Sequence, residues 1–120
     1  MGLTGGGFVV VWRSTGQDGG GSYGVFGQIY NSAGVAVGGE FRVNTETAGN
    51  EYEPTVTALS HGGFAVAWND DGRIRAQQFD ANGLRLDGPA LIDTHDANGS
   101  GSAPVVLGLA NGAFVVSWTD

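Results

Sequence analysis

Three tryptophans occupy the same place in a repeated pattern, and they are the residues of this chain best suited to bind a sugar. Trp12, Trp68 and Trp118 each close a run of the type Phe-x-Val-x-Trp. An exposed indole can stack on a sugar ring, whereas a buried indole fills a core and pairs its N–H with a carbonyl. Because the position recurs in each copy, we expect the core role for all three and keep glycan binding as the alternative.

Aspartates follow the first two tryptophans in stretches that also contain glycine. These are Asp18, Asp70 and Asp71. Calcium takes about six to eight oxygen ligands, and glycine lets the backbone turn toward the ion. Asp-Gly pairs are also ordinary turn signals, and the spacing of an EF-hand loop is missing. The three aspartates are therefore candidate calcium ligands, with a plain turn as the alternative.

No group of residues indicates catalysis. The serines lie in turn-like stretches without the strand-to-helix context of a nucleophile, and His61 and His95 stand in different turns. Glu46, Glu51 and Glu53 could supply paired carboxylates for glycoside hydrolysis, but a charged solvated surface explains them more simply. We expect a protein that is not an enzyme.

The elements that must position these residues recur along the chain. Segment 3–12 aligns with 59–68 and 109–118, and leucine, glycine, phenylalanine, valine and tryptophan coincide in all three. Further segments follow in the same order: 28–34 with 77–83, 41–45 with 90–94, and 53–59 with 103–109. This order predicts a unit of about fifty residues that occurs twice, with its opening portion present a third time.

Each unit is predicted to contain four short strands joined by tight turns. Apolar residues alternate with small or polar ones, and glycine next to Asn, Asp or Ser separates the runs. The predicted strands are 54–59 and 104–109, 63–68 and 113–118, 25–30 and 74–79, and 40–44 and 90–93. Asn111-Gly112 is a strong hairpin signal. No window has a helical period with caps.

The predicted fold is all-β, with four-stranded antiparallel repeats resembling β-propeller blades. The alternative is a β-sandwich of about eight or nine strands. Residues 1–120 would form a single repeat-built unit, with a partial blade at 3–46, a complete blade at 53–95 and a partial blade at 103–120. Two blades cannot close a ring, since propellers have at least about four. We therefore expect a homo-oligomer, or neighbouring repeats of a parent chain, to complete the fold.

Composition restricts the partners and the compartment. Twelve acidic and five basic residues give a net charge of −7, which disfavours contact with the phosphates of nucleic acids. The chain has no cysteine, which excludes disulfides and thiolate chemistry. Apolar runs such as 8–12 are too short to span a bilayer, so we expect no membrane insertion. No signal-peptide pattern is present, and an exported protein would carry its export signal in a longer parent chain.

Several spaced motifs resemble a known kind of repeat. Segment 6–12, the glycine-rich stretch 16–21, and segments 27–30 and 40–45 are similar to the Gly-Gly-Phe-Val-Val-x-Trp repeats of long secreted, calcium-associated bacterial proteins related to RTX toxins and adhesins. The resemblance covers nearly the whole chain and implies an extracellular, propeller-like module within a larger polypeptide. The RTX nonapeptide is absent in repeated form, so calcium binding by a β-roll is not implied.

Three functions are consistent with these patterns. The first is a structural or adhesive repeat of an extracellular bacterial protein. The second is a carbohydrate-binding propeller assembled from short chains. The third is an excised or engineered propeller fragment, which Met1 and the out-of-phase ends would suit. The number of chains in solution distinguishes them most directly.

Overall fold

The computed structural model of the chain describes residues 1–3, 6–15, 23–43, 51–60, 62–70, 73–93 and 104–118. Nine strands occur in these ranges: β1 Phe8–Thr15, β2 Tyr23–Tyr30, β3 Ala36–Arg42, β4 Glu51–Ala58, β5 Phe64–Asp70, β6 Arg73–Phe79, β7 Arg85–Asp93, β8 Val105–Gly108 and β9 Phe114–Ser117. None of these residues is helical, so the all-β prediction is confirmed. No helix long and apolar enough to cross a membrane is found in this part of the chain.

The strands form three antiparallel sheets, each built from strands that follow one another in the chain. The first sheet has the order β1-β2-β3, the second β4-β5-β6-β7, and the third β8-β9. Three sheets differ from the two expected of a sandwich. β3 and β7 begin at Ala36 and Arg85, earlier than the predicted starts at 40 and 90, because the chain pairs with β2 or β6 directly after the tight turn.

The hairpin turns share one pattern of hydrogen bonds. In the third sheet, the N–H of Gly112 donates to the carbonyl of Leu109 at 3.2 Å, and the N–H of Leu109 donates to the carbonyl of Ala113 at 2.8 Å. Gly112 has a positive φ of 86°. The same pair of bonds surrounds four other positive-φ glycines: Gly6, Gly34, Gly62 and Gly83. These are three-residue loops closed by a left-handed glycine, a common hairpin connection.

The sheets stack face to face in chain order. β1 and β2 of the first sheet contact β4, and β4 and β5 of the second sheet contact β8. The first core cluster, between the first and second sheets, consists of Val9, Val25, Ile29, Val43, Phe64, Val66, Trp68 and Phe79. The second core cluster, between the second and third sheets, consists of Leu59, Ala65, Ala67, Ala76 and Val106, with Phe114 and Val116 packed against it.

Strand β5 contributes to both clusters because its side chains alternate between two faces. Phe64, Val66 and Trp68 point into the first core cluster, and Ala65 and Ala67 point into the second. The first sheet therefore packs against the large side chains of β5, and the third sheet packs against its small ones. In the second unit, the repeated Phe-x-Val-x-Trp pattern supplies the large side chains on this face of β5.

Aromatic rings join the first two sheets. The ring of Phe41 lies 6.0 Å from that of Phe64 and 5.4 Å from that of Phe79, measured between centroids. Phe64 and Phe79 are themselves stacked at 5.0 Å. Tilted and stacked pairs at these distances add to the free energy gained from burying their area. The contact between the first and second sheets is thus the more aromatic of the two.

Candidate functional site

The three candidate tryptophans lie in different environments. Trp68 is 1% exposed and packs in the first core cluster. Trp12 is half-buried on the opposite face of the first sheet, since the alternating Val9 and Val11 point into that cluster. Trp118 follows β9 and is 37% exposed. Sequence equivalence therefore does not place the three indoles on one common surface.

The indole N–H of Trp68 corrects one expectation. Pairing of this group with a carbonyl was predicted, yet the buried Nε1 has no hydrogen-bond partner among the described residues. The other members of the first core cluster are apolar and have no acceptor in their side chains. An unpaired buried donor costs about 1–3 kcal/mol, which the burial of a large aromatic ring offsets. The prediction was wrong because packing, and not hydrogen bonding, determines where this ring lies.

Asp70 is the one candidate calcium ligand that the described ranges include. Its carboxylate accepts a hydrogen bond from Nε of Arg75 across the β5–β6 hairpin, and the two side chains are only 12% and 19% exposed. A guanidinium bound to a carboxylate opposes the binding of a second cation there. Asp70 as placed does not fit a calcium ligand.

The remaining candidate ligands, Asp18 and Asp71, lie outside the described residues, as do His61, His95 and Glu46. Within the described part, no group of three His, Cys, Asp or Glu side chains is close enough together to hold a metal ion. Calcium binding at Asp18 and Asp71 stays a prediction.

Arg85 is an important residue that the sequence did not indicate. Its Nη2 donates to the carbonyls of Arg42 and Val43, each at 2.6 Å, and its guanidinium lies 5.7 Å from the centre of the Phe79 ring. Burial, and then the neighbouring charge of Arg42, lowers the pKa of Arg85. The aligned position in the first unit is Ala36, so the repeat contains no signal for this contact. Arg85 fastens the second sheet to the first.

Two shallow grooves lie at the boundary of these sheets. The larger, about 370 Å³, is lined by residues of β1 and β4, including Val10 and Val56. The smaller, about 240 Å³, is lined by residues of the first sheet and by Gly62 and Ala81. None of the described residues that line them is an aspartate, a glutamate or a histidine. The described residues of both grooves offer apolar packing, backbone groups and the neutral polar side chains of Thr55, Tyr30, Asn31 and Ser32.

Comparison with known proteins gives no match to a family model, to a curated protein or to a solved structure. The described fold defines an all-β protein of three stacked antiparallel sheets. The packing of those sheets and the repeat in the sequence are the features that bear on its function.

Proposed function

We propose that the chain is a non-enzymatic structural repeat module whose sheets stack as propeller-like blades. The supporting observation is that the residues shared by the repeats are used in packing between sheets. Phe64, Val66 and Trp68 cover the first sheet, and Phe114 and Val116 cover the second. A unit whose shared residues attach it to its neighbour can be added repeatedly, as in other repeat proteins.

An extracellular, adhesive setting in a bacterial protein is part of the proposal. It is supported by the similarity of segments 6–12, 27–30 and 40–45 to repeats of secreted, calcium-associated proteins. The net charge of −7 and the lack of cysteine are compatible with it. In that setting the module would act as a spacer or an adhesive surface.

Glycan binding is the second candidate, favoured by the exposed area of two indoles. Trp118 is 37% exposed after the last strand, and Trp12 is half-buried on the outward face of the first sheet. The two lie on opposite outer sheets of the stack. Each would therefore have to bind a sugar on its own within one chain.

Ligand titrations distinguish the candidates. We expect a panel of glycans to leave tryptophan emission unchanged, and calcium or a chelator to leave the melting temperature unchanged. A ligand that binds the native state must raise that temperature. A sugar-dependent change in emission that Trp118→Ala removes would favour glycan binding. A calcium-dependent rise that Asp71→Asn removes would instead favour the metal site.

A further inference from the structure

Both outermost faces of the stack carry exposed apolar side chains. The front face, on the outward side of the first sheet, is defined by Phe8, Val10 and Trp12. The back face, on the outward side of the third sheet, is defined by Val105, Leu107 and Val115. Phe8 and Val10 are 36% and 42% exposed, and the back-face residues are between 48% and 60% exposed. Groups of exposed apolar side chains on one face are typical of surfaces that bind other molecules.

The two exposed faces correspond in sequence to the two surfaces that pack together wherever one sheet of this chain covers another. Phe8, Val10 and Trp12 align with Phe64, Val66 and Trp68, which are buried against the first sheet. On the other side, Val115 aligns with Val9 and Ala65, each 0% exposed beneath the following sheet. The front face thus corresponds to the side of the second sheet that packs on the first sheet. The back face corresponds to the sides of the first and second sheets on which the following sheet packs.

We infer that a second copy of this chain packs its front face onto the back face of the first and continues the stack. The inference rests on the proposed function, because it takes sheet stacking to be the purpose of the repeat. The two faces differ, so the contact is head-to-tail. A head-to-tail contact leaves one free face at each end, so further copies are added until a ring closes or a filament forms. A two-fold symmetric contact would stop at a dimer.

The outer edge of β9 argues against the alternative in which the second copy adds a strand. A Cβ at Gly7 would lie 2.6 Å from the carbonyl oxygen of Tyr30, and one at Gly63 would lie 2.1 Å from that of Phe79. The third unit has Ala113 at this position. A strand beside β9 in the same register would press its carbonyl into that methyl group, which is costly overpacking. Stacking of faces avoids this clash.

Two face variants and their mixture test the inference. Val10→Asp places a charge on the front face, and Leu107→Asp places one on the back face; both positions are exposed, at 42% and 59%, so the unfolding midpoints should stay near that of the wild type. Light scattering over a concentration series should show association of the wild type. Each variant alone should dissociate about a hundredfold more readily, because the contact would bury an unpaired charge.

The equimolar mixture is the decisive sample. The intact back face of Val10→Asp meets the intact front face of Leu107→Asp, so the mixture should form heterodimers and nothing larger. Val35→Asp, at a 59% exposed position in the β2–β3 turn, is the control and should associate as the wild type does.

Three outcomes would overturn the inference. A wild type that stays monomeric at millimolar concentration would overturn the inference. The proposed function would still stand, because the ligand titrations test that function separately. Association that survives in Leu107→Asp but not in Val10→Asp would indicate a symmetric front-to-front dimer. Association that survives in both variants would indicate pairing of strand edges.

Discussion

Replacing Trp68 with alanine is expected to lower the free energy of unfolding by about 3–5 kcal/mol, the usual cost of removing a buried large aromatic side chain. The ring is 1% exposed and fills the space between the first and second sheets. Its N–H has no acceptor in the described residues, so the loss comes from packing and not from a broken hydrogen bond. The free energy of unfolding of a native domain is only about 5–15 kcal/mol in total, so much of this variant should be unfolded in mild urea.

Trp118→Ala is the matched control for this prediction. Trp118 occupies the same position of the repeat but is 37% exposed, so its loss should cost about 1 kcal/mol or less. Both variants remove a fluorophore, and unfolding in urea should therefore be followed by far-UV circular dichroism. Equal losses in the two variants would contradict the burial of Trp68 between sheets.

Gly63→Ala is expected to lower the free energy of unfolding by about 2–3 kcal/mol, although it adds only one methyl group. The new Cβ would lie 2.1 Å from the carbonyl oxygen of Phe79, the last residue of β6, and 3.1 Å from Cα of Asp80 in the turn that follows, and both are backbone atoms. The strands would have to separate, which weakens both core clusters on either side of β5. Urea unfolding measures the loss directly.

Gly39→Ala provides the comparison at a glycine that lies within a strand. Gly39 lies in β3 and is exposed, and a methyl group added to its Cα would have no heavy atom within 4 Å. Its replacement should change stability by less than about 0.5 kcal/mol or stabilise slightly, because alanine restricts the unfolded chain. A Gly63→Ala variant as stable as Gly39→Ala would show that β5 and β6 are not as close as described.

Strand positions were predictable where side-chain alternation and turn glycines agreed. The period of two in 64–68 and the glycine at 62 located β5 and the turn before it. The early part of β7 was missed because it contains Gly88 and Pro89, which locally favour a turn. Arg85 and Leu86 nevertheless pair with β6, and the register shifts between Leu86 and Ala90, where Gly88 and Pro89 stand. β7 also lies at the edge of its sheet, and proline is tolerated at bulges and edges.

The environments of the candidate residues were less predictable, for a physical reason. Trp12, Trp68 and Trp118 are equivalent in sequence, but Trp12 lies on the outward face of the first sheet and Trp118 follows the last strand of a two-stranded sheet, whereas Trp68 lies between two sheets. Arg85 was missed because its contacts, with Arg42 and Val43, are more than 40 positions away in the chain and are not repeated. A repeat specifies its internal strands well, but it does not specify which of its surfaces a neighbour covers.

Acrylamide quenching of a variant that retains only Trp68 tests most directly whether the Phe-x-Val-x-Trp pattern packs sheet on sheet. Trp12→Phe with Trp118→Phe gives this variant, and the corresponding Trp118-only variant is the control. At low protein concentration we expect Trp68 to emit at short wavelength and to resist quenching, and Trp118 to be quenched readily, as their exposures of 1% and 37% require. Emission and quenching of Trp68 equal to those in the urea-unfolded chain would contradict the account.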